Sequence, residues 1–228
     1  ADRYVTGDFD HDGRQELLCI EGADAGARAM MLHFDGTDWI RGWSNGDEVL
    51  GPAGSLGGAD GWTIRAGDEY HVGDFDGDGV RDDLLCVQRP AGGIRLLRFD
   101  GQWVTLWRNA GDGGIGGWGP LEGQDQVLVG PLDADGRDEV MFLQRCPGCK
   151  WATTLDWDGT QFVWRWSTQP DQEPGRIDDW PVADTGGVAT AYQFVRPVVG
   201  MPDHLLAIRR FANGQSLVNL YRPLPRDF

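Results

Sequence analysis

Short runs of apolar, β-branched and aromatic residues recur along the chain, each closed by Gly or polar residues. None carries the 3.6-residue period and caps of an amphipathic helix. The runs come in groups of four. The first group is Tyr4-Val5-Thr6-Gly7, Leu17-Leu18-Cys19-Ile20, Met30-Met31-Leu32-His33-Phe34 and Trp39-Ile40-Arg41-Gly42-Trp43. The second runs from Tyr70 to Gly73, Leu84 to Val87, Ile94 to Phe99 and Trp103 to Trp107. The third runs from Val127 to Gly130, Val140 to Leu143, Thr153 to Trp157 and Phe162 to Trp166. A degenerate fourth group offers Phe194 to Gly200, Leu205 to Ile208 and Leu217 to Tyr221, with Pro223 to Phe228 where its last run is due. Each run predicts a strand. The pairs Asp35-Gly36, Asp100-Gly101 and Asp158-Gly159 predict tight hairpins of type I′, which need positive φ at both central residues. Four copies of a four-stranded antiparallel unit predict an all-β fold, a β-propeller of four blades in a single domain. The copies cover roughly 1–66, 67–124, 125–190 and 191–228, with almost no helix. The Gly-rich connections 44–61, 108–117 and 167–179 are where binding surfaces are expected.

Between the first and second run of each copy lies an acidic stretch. It reads Asp8-Phe9-Asp10-His11-Asp12-Gly13-Arg14-Gln15-Glu16 in the first copy and Asp74-Phe75-Asp76-Gly77-Asp78-Gly79-Val80-Arg81-Asp82 in the second. The third is damaged, Pro131-Leu132-Asp133-Ala134-Asp135-Gly136-Arg137-Asp138-Glu139, and the fourth is reduced to Met201-Pro202-Asp203-His204. Carboxylates at alternate positions followed by a Gly make a loop that gathers oxygens, which suits a hard cation such as Ca²⁺. An EF-hand is excluded, because its position twelve would be Cys19, Leu85 or Phe142. A nine-position loop fits instead. Its side-chain ligands would be Asp8, Asp10, Asp12 and Glu16 in the first copy, and Asp74, Asp76, Asp78 and Asp82 in the second. The carbonyls of Arg14 and Val80 would complete them. Loop counting selects Asp82 over Asp83, which alignment on the following strand would choose. The third loop keeps Asp133, Asp135 and Glu139 with the Arg137 carbonyl, but Pro131 removes one carboxylate and predicts a weaker site.

The net charge of −16 over 228 residues disfavours nucleic-acid phosphate and anionic membranes as partners. Much of that acidity sits in the loops. Aromatic residues are 11% and hydrophobic residues 40%, enough for a packed core. No apolar run approaches a bilayer span and no signal peptide is evident.

The strings Gly7-Asp8-Phe9-Asp10-His11-Asp12-Gly13 and Gly73-Asp74-Phe75-Asp76-Gly77-Asp78-Gly79, each followed by a Leu-Leu run, resemble FG-GAP/VCBS-type repeats. Those repeats build the calcium-binding propellers of integrin α subunits and of secreted bacterial and fungal proteins, some of them lectins. The resemblance is good in two copies, partial in the third and faint in the fourth. It implies Ca²⁺ held between the first two strands of a blade, in a structural role.

Tryptophans recur in two sets. Trp43, Trp107 and Trp166 end fourth runs and are expected to pack between blades. Trp62, Trp118 and Trp180 follow the Gly-rich connections and are the candidate sugar contacts. Cys146 and Cys149 sit in a predicted turn and suit a local disulfide if the protein is exported, whereas Cys19 and Cys86 are expected to be buried and unpaired. Gly111-Asp112-Gly113-Gly114-Ile115-Gly116 is not followed by a helix, so a nucleotide reading is rejected. No catalytic constellation is visible. The expectation is a secreted, calcium-stabilised binding module for carbohydrate. The alternatives are an adhesion domain that binds an extracellular protein, and a polysaccharide lyase or hydrolase.

Overall fold

A computed structural model describes residues 2–21, 27–45, 55–56, 62–65, 67–88, 93–109, 115, 125–132, 135–144, 151–167, 176–177, 180–181, 189–195, 204–210 and 216–221. Every regular element among them is a strand. The first sheet has β1 (Arg3–Gly7), β2 (Glu16–Glu21), β3 (Arg28–Phe34) and β4 (Trp39–Ser44), in that spatial order. A two-stranded piece follows, β5 (Ser55–Leu56) with β6 (Trp62–Thr63). The second sheet has β7 (Glu69–Gly73), β8 (Asp83–Val87), β9 (Ile94–Phe99) and β10 (Trp103–Arg108). The third has β11 (Gln126–Gly130), β12 (Glu139–Gln144), β13 (Trp151–Trp157) and β14 (Phe162–Ser167). After another short pair, β15 (Arg176–Ile177) and β16 (Trp180–Pro181), the sheet of β17 (Ala189–Val195), β18 (His204–Arg210) and β19 (Ser216–Tyr221) ends the described structure. All pairings are antiparallel between chain neighbours, as short connections require.

Three differences from the sequence expectations have physical reasons. The first strand of the last sheet lies at Ala189–Val195 rather than Phe194–Gly200. Pro197 has no N–H to give to a ladder, whereas Thr190, Tyr192 and Phe194 favour one. The Asp-Gly hairpins form, but not as type I′ turns: Gly36, Gly101 and Gly159 have positive φ and the preceding Asp residues do not. The Asp35 carboxylate instead accepts the amides of Thr37 and Asp38, and Asp158 accepts those of Thr160 and Gln161. These Asx-type bonds support longer loops with the Asp in ordinary backbone space. Third, the connections contain the short pairs β5–β6 and β15–β16, which no periodic run announced.

Contacts divide the chain into two compact units, 1–74 with 78–120, and 75–77 with 121–228. In the first, the core joins Leu18, Ile20, Met31, Trp43, Trp62, Leu84, Leu97 and Trp103. Trp43 is buried against Trp103 and Phe99, as expected for a packing residue. Cys19 and Cys86 are buried and unpaired. The apolar second residue of each acidic loop is a core residue too. Phe9 is 0% exposed and meets Trp103 edge-on at 5.2 Å. In the second unit Phe75, also 0% exposed, meets Phe162 edge-on at 5.7 Å. Leu132 is buried in its turn. Trp103 and Phe162 both open the fourth strand of their sheet. The matching residue of the first sheet, Trp39, is 54% exposed beside Phe34.

Candidate functional site

The first acidic loop runs from Gly7 to Glu16, residues that face one another at the end of the β1–β2 ladder. Gly7 must lack a side chain, because a Cβ there would lie 2.7 Å from the Arg81 carbonyl oxygen. Gly13 and Gly79 turn the loops with φ of 84° and 90°, a region that L side chains resist. At position four His11 has φ 60°, where the second loop has Gly77 at 80°.

The ligand atoms of Asp8, Asp10, Asp12 and Glu16 lie within 4.8 Å of one another, so this cluster could hold a metal ion. Glu16 anchors it. One carboxylate oxygen accepts the Phe9 amide at 2.6 Å, and the other is buried without a hydrogen-bond partner. A side chain 1% exposed with one orphaned oxygen among three more carboxylates fits a cation better than it fits water-solvated turn chemistry. Burial, and after it the charge of Asp10, push the Glu16 carboxyl above its ordinary value, while the Asp10 and Phe9 amides pull back.

In the second loop Asp74, Asp76 and Asp78 converge in the same way. The fourth carboxylate is placed differently. Asp83 takes the ladder position opposite Gly73 that Glu16 takes opposite Gly7 and Glu139 opposite Gly130. Asp82, fully buried, instead meets His11 of the first loop at 2.6 Å. These two and Asp78 form a second mixed group within 4.8 Å. The hydrogen bond to Asp82 raises the His11 pKa, although burial works against it; burial in turn raises that of Asp82. The Asp8 amide also donates to the Arg81 carbonyl, so the two loops are tied at two points. Arg98 Nε pairs with Asp83 at 3.1 Å and with Asp82 at 3.5 Å. Extra acidity at the start of β8 is thus matched by a cation from β9. The cross-loop bond from His11 was not legible, since nothing in one copy announces a partner 71 residues away.

Of the third loop, Asp133 lies outside the described residues. Asp135 accepts the Arg137 amide, Glu139 is buried and accepts the Leu132 amide, and the Arg137 guanidinium donates to the Trp157 carbonyl. Glu139 therefore repeats the anchoring bond of Glu16. Trp118, Cys146 and Cys149 fall outside the described residues, as does the side chain of Trp180.

Trp62 is 3% exposed, its indole N–H donating to Asp68 at 2.9 Å. The same Asp68 oxygen accepts the Arg65 amide at 2.8 Å and lies 3.5 Å from the Tyr70 hydroxyl. One edge of Trp62 borders a cavity of about 440 Å³ lined also by Thr63, Gln88, Ile94 and Asn109. The cavity sits where β8 ends and β9 begins, the end of this sheet away from the acidic loop. Asn109 staples its rim: its amide donates to the Ile94 carbonyl and its side chain accepts the Ile94 amide. Asn45 makes the same two bonds with Ala29 in the first sheet. An Asn two residues past the fourth run was the available signal for this staple.

Burial raises the Asp68 pKa above its ordinary 3.8, only partly offset by the Arg65 amide and the Trp62 indole. The folded protein therefore binds this proton more tightly than the unfolded chain does. Stability contributed here is present below 3.8 and is lost as pH rises through the elevated value. In Asp68→Asn the decline in unfolding free energy between 3.8 and that elevated value is expected to be shallower than in the wild type. Denaturant titrations across the range check it, and parallel curves would refute it.

No family model matches this chain, and no curated protein matches it significantly. What the fold and loops define is an all-β protein with three four-stranded antiparallel sheets, two of whose opening hairpin loops could hold a cation. Among the described residues, no helix is long and apolar enough to cross a membrane.

Proposed function

We propose that this chain is a calcium-stabilised β-propeller of the FG-GAP/VCBS kind that serves outside the cell as a carbohydrate-binding module. The calcium part is supported by the donor set. Four carboxylates with an orphaned buried oxygen, all hard oxygen donors on a turn shaped by glycines, suit Ca²⁺ better than a softer ion. Asp8, Asp10, Asp12 and Glu16 would hold one ion, and Asp74, Asp76 and Asp78 a second. Each ion would cancel the mutual repulsion of its loop and so fix the hairpin that follows. It is a scaffold role, with the carboxylates consumed as ligands rather than left for acid–base chemistry.

The observation that carries the binding reading is the cavity at the other end of the second sheet. Its volume falls in the range of small-molecule sites, about 300–1,000 Å³. It is walled by hydrogen-bonding side chains around the edge of an indole held rigid by Asp68. Hydroxyl-rich ligands are recognised by such mixed polar and aromatic walls. Screening the protein on an immobilised saccharide array, with and without a chelator, tests the proposal. Selective retention on a subset of saccharides is expected, weakened by chelation as the scaffold loosens. Retention on none of them would end the carbohydrate reading.

A further inference from the structure

Arginines gather at this cavity. Three arginines, Arg65, Arg95 and Arg108, stand among its described lining residues, and none of the other described ones is acidic. On a chain of net charge −16 such a concentration is not a sample of the average surface. We infer that this cavity binds the carboxylate of an acidic saccharide, which rests on the carbohydrate-binding reading and narrows it.

The guanidinia come from three separate places on a rigid frame. Arg95 is the second residue of β9 and Arg108 closes β10, directly across the ladder from each other. Arg65 precedes β7, its guanidinium donating to Gln88 Oε1 at 3.0 Å and its amide held by Asp68. Asp68, buried behind Trp62, fixes both the indole and the Arg65 backbone at the cavity wall. A planar guanidinium presents paired donors that match a carboxylate, and a partly enclosed site strengthens the bond.

Size and donor mix separate a sugar acid from a simple oxyanion. Phosphate or acetate would fill only a fraction of about 440 Å³. Thr63, Gln88 and Asn109 stand beside the arginines as partners for hydroxyl groups. Gly93 keeps the space open: a Cβ there would come within 3.3 Å of Gln88 Oε1 and 3.8 Å of the Trp62 ring.

The test is calorimetric titration of the whole chain with glucuronate, glucose and inorganic phosphate, in calcium and at low salt. Glucuronate is expected to bind at least about tenfold more tightly than either competitor. Arg95→Gln and Arg108→Gln should each weaken it about tenfold or more, the value of a charge-assisted hydrogen bond. Gly93→Leu should block it. Melting curves establish that each variant is folded, and any one of the three suffices to read the effect. Phosphate binding as tightly as glucuronate would overturn the saccharide assignment. Sugars that bind with no response to the three substitutions would overturn the cavity while leaving the carbohydrate reading intact. Binding of no sugar at all would overturn both.

Discussion

Removing calcium is expected to lower the melting temperature by about 10–20 °C. An ion that binds only the folded state stabilises it by about 2.7 kcal/mol per site at a hundredfold excess over Kd. Two filled loops therefore contribute about 5 kcal/mol, and for a chain of this length each kcal/mol moves the midpoint about 2–4 °C. Magnesium should recover little of this, because it demands tight octahedral geometry and sheds water reluctantly. Glu16→Gln separates the loops. The amide oxygen can still accept the Phe9 N–H, so the hairpin keeps its anchor, but one charge leaves the ligand set. Ion stoichiometry by native mass spectrometry should fall from two to one. The metal-free variant should melt no lower than the metal-free wild type, because the burial of a charge and the repulsion from Asp10 and Asp12, which together raise the Glu16 pKa, are relieved. Melting curves that superpose with and without chelator would remove the cation from the account of this protein.

The strands were legible because their signal is local. A run such as Ile94–Phe99 needs only β-branched and apolar residues bounded by Gly or Asp, and the observed strand has those same limits. Convergence of carboxylates was legible for the same reason: alternate Asp residues before a Gly bring their side chains together whatever the rest of the chain does. Contacts between copies were not legible. His11 occupies a variable loop position, and only the three-dimensional arrangement shows that Asp82 receives it. The choice between Asp82 and Asp83 was hidden likewise. Counting along the loop and counting along the strand differ by one residue, and the ladder opposite Gly73 places Asp83 in the strand. The cavity was the least visible feature. Arg65, Arg95 and Arg108 are dispersed in sequence, and in a chain where nearly every basic residue is Arg none of them stands out. Trp62 was noticed for its recurrence, yet its part is mainly to pack and to hold Asp68, with only its edge turned to the cavity.

Phe9→Ala and Phe75→Ala are each expected to cost about 3–5 kcal/mol, as deletion of a fully buried aromatic ring does. The loops that could hold cations lie at the surface, but their second residue is as buried as any among the described residues. Phe9 carries the first loop onto Trp103, and Phe75 meets Phe162, both in edge-to-face geometry with interplanar angles of 69° and 85°. Such pairs add about 0.5–1.5 kcal/mol beyond the area they bury. The ring and the ligands are adjacent in sequence, so packing of the ring also positions the carboxylates on either side of it. Phe9→Ala should therefore weaken ion binding at the first loop although it removes no ligand, and Phe9→Leu, which keeps an apolar plug as Leu132 does in the third loop, should restore part of both. Trp39→Ala is the control. Trp39 opens the fourth strand of the first sheet, as Trp103 and Phe162 open theirs, but it is more than half exposed and its loss should stay within about 0.5 kcal/mol. Equilibrium unfolding in saturating calcium, with the ion affinity of each variant alongside, separates the cases. Equal losses for Phe9→Ala and Trp39→Ala would mean that the loops do not dock through their second residue.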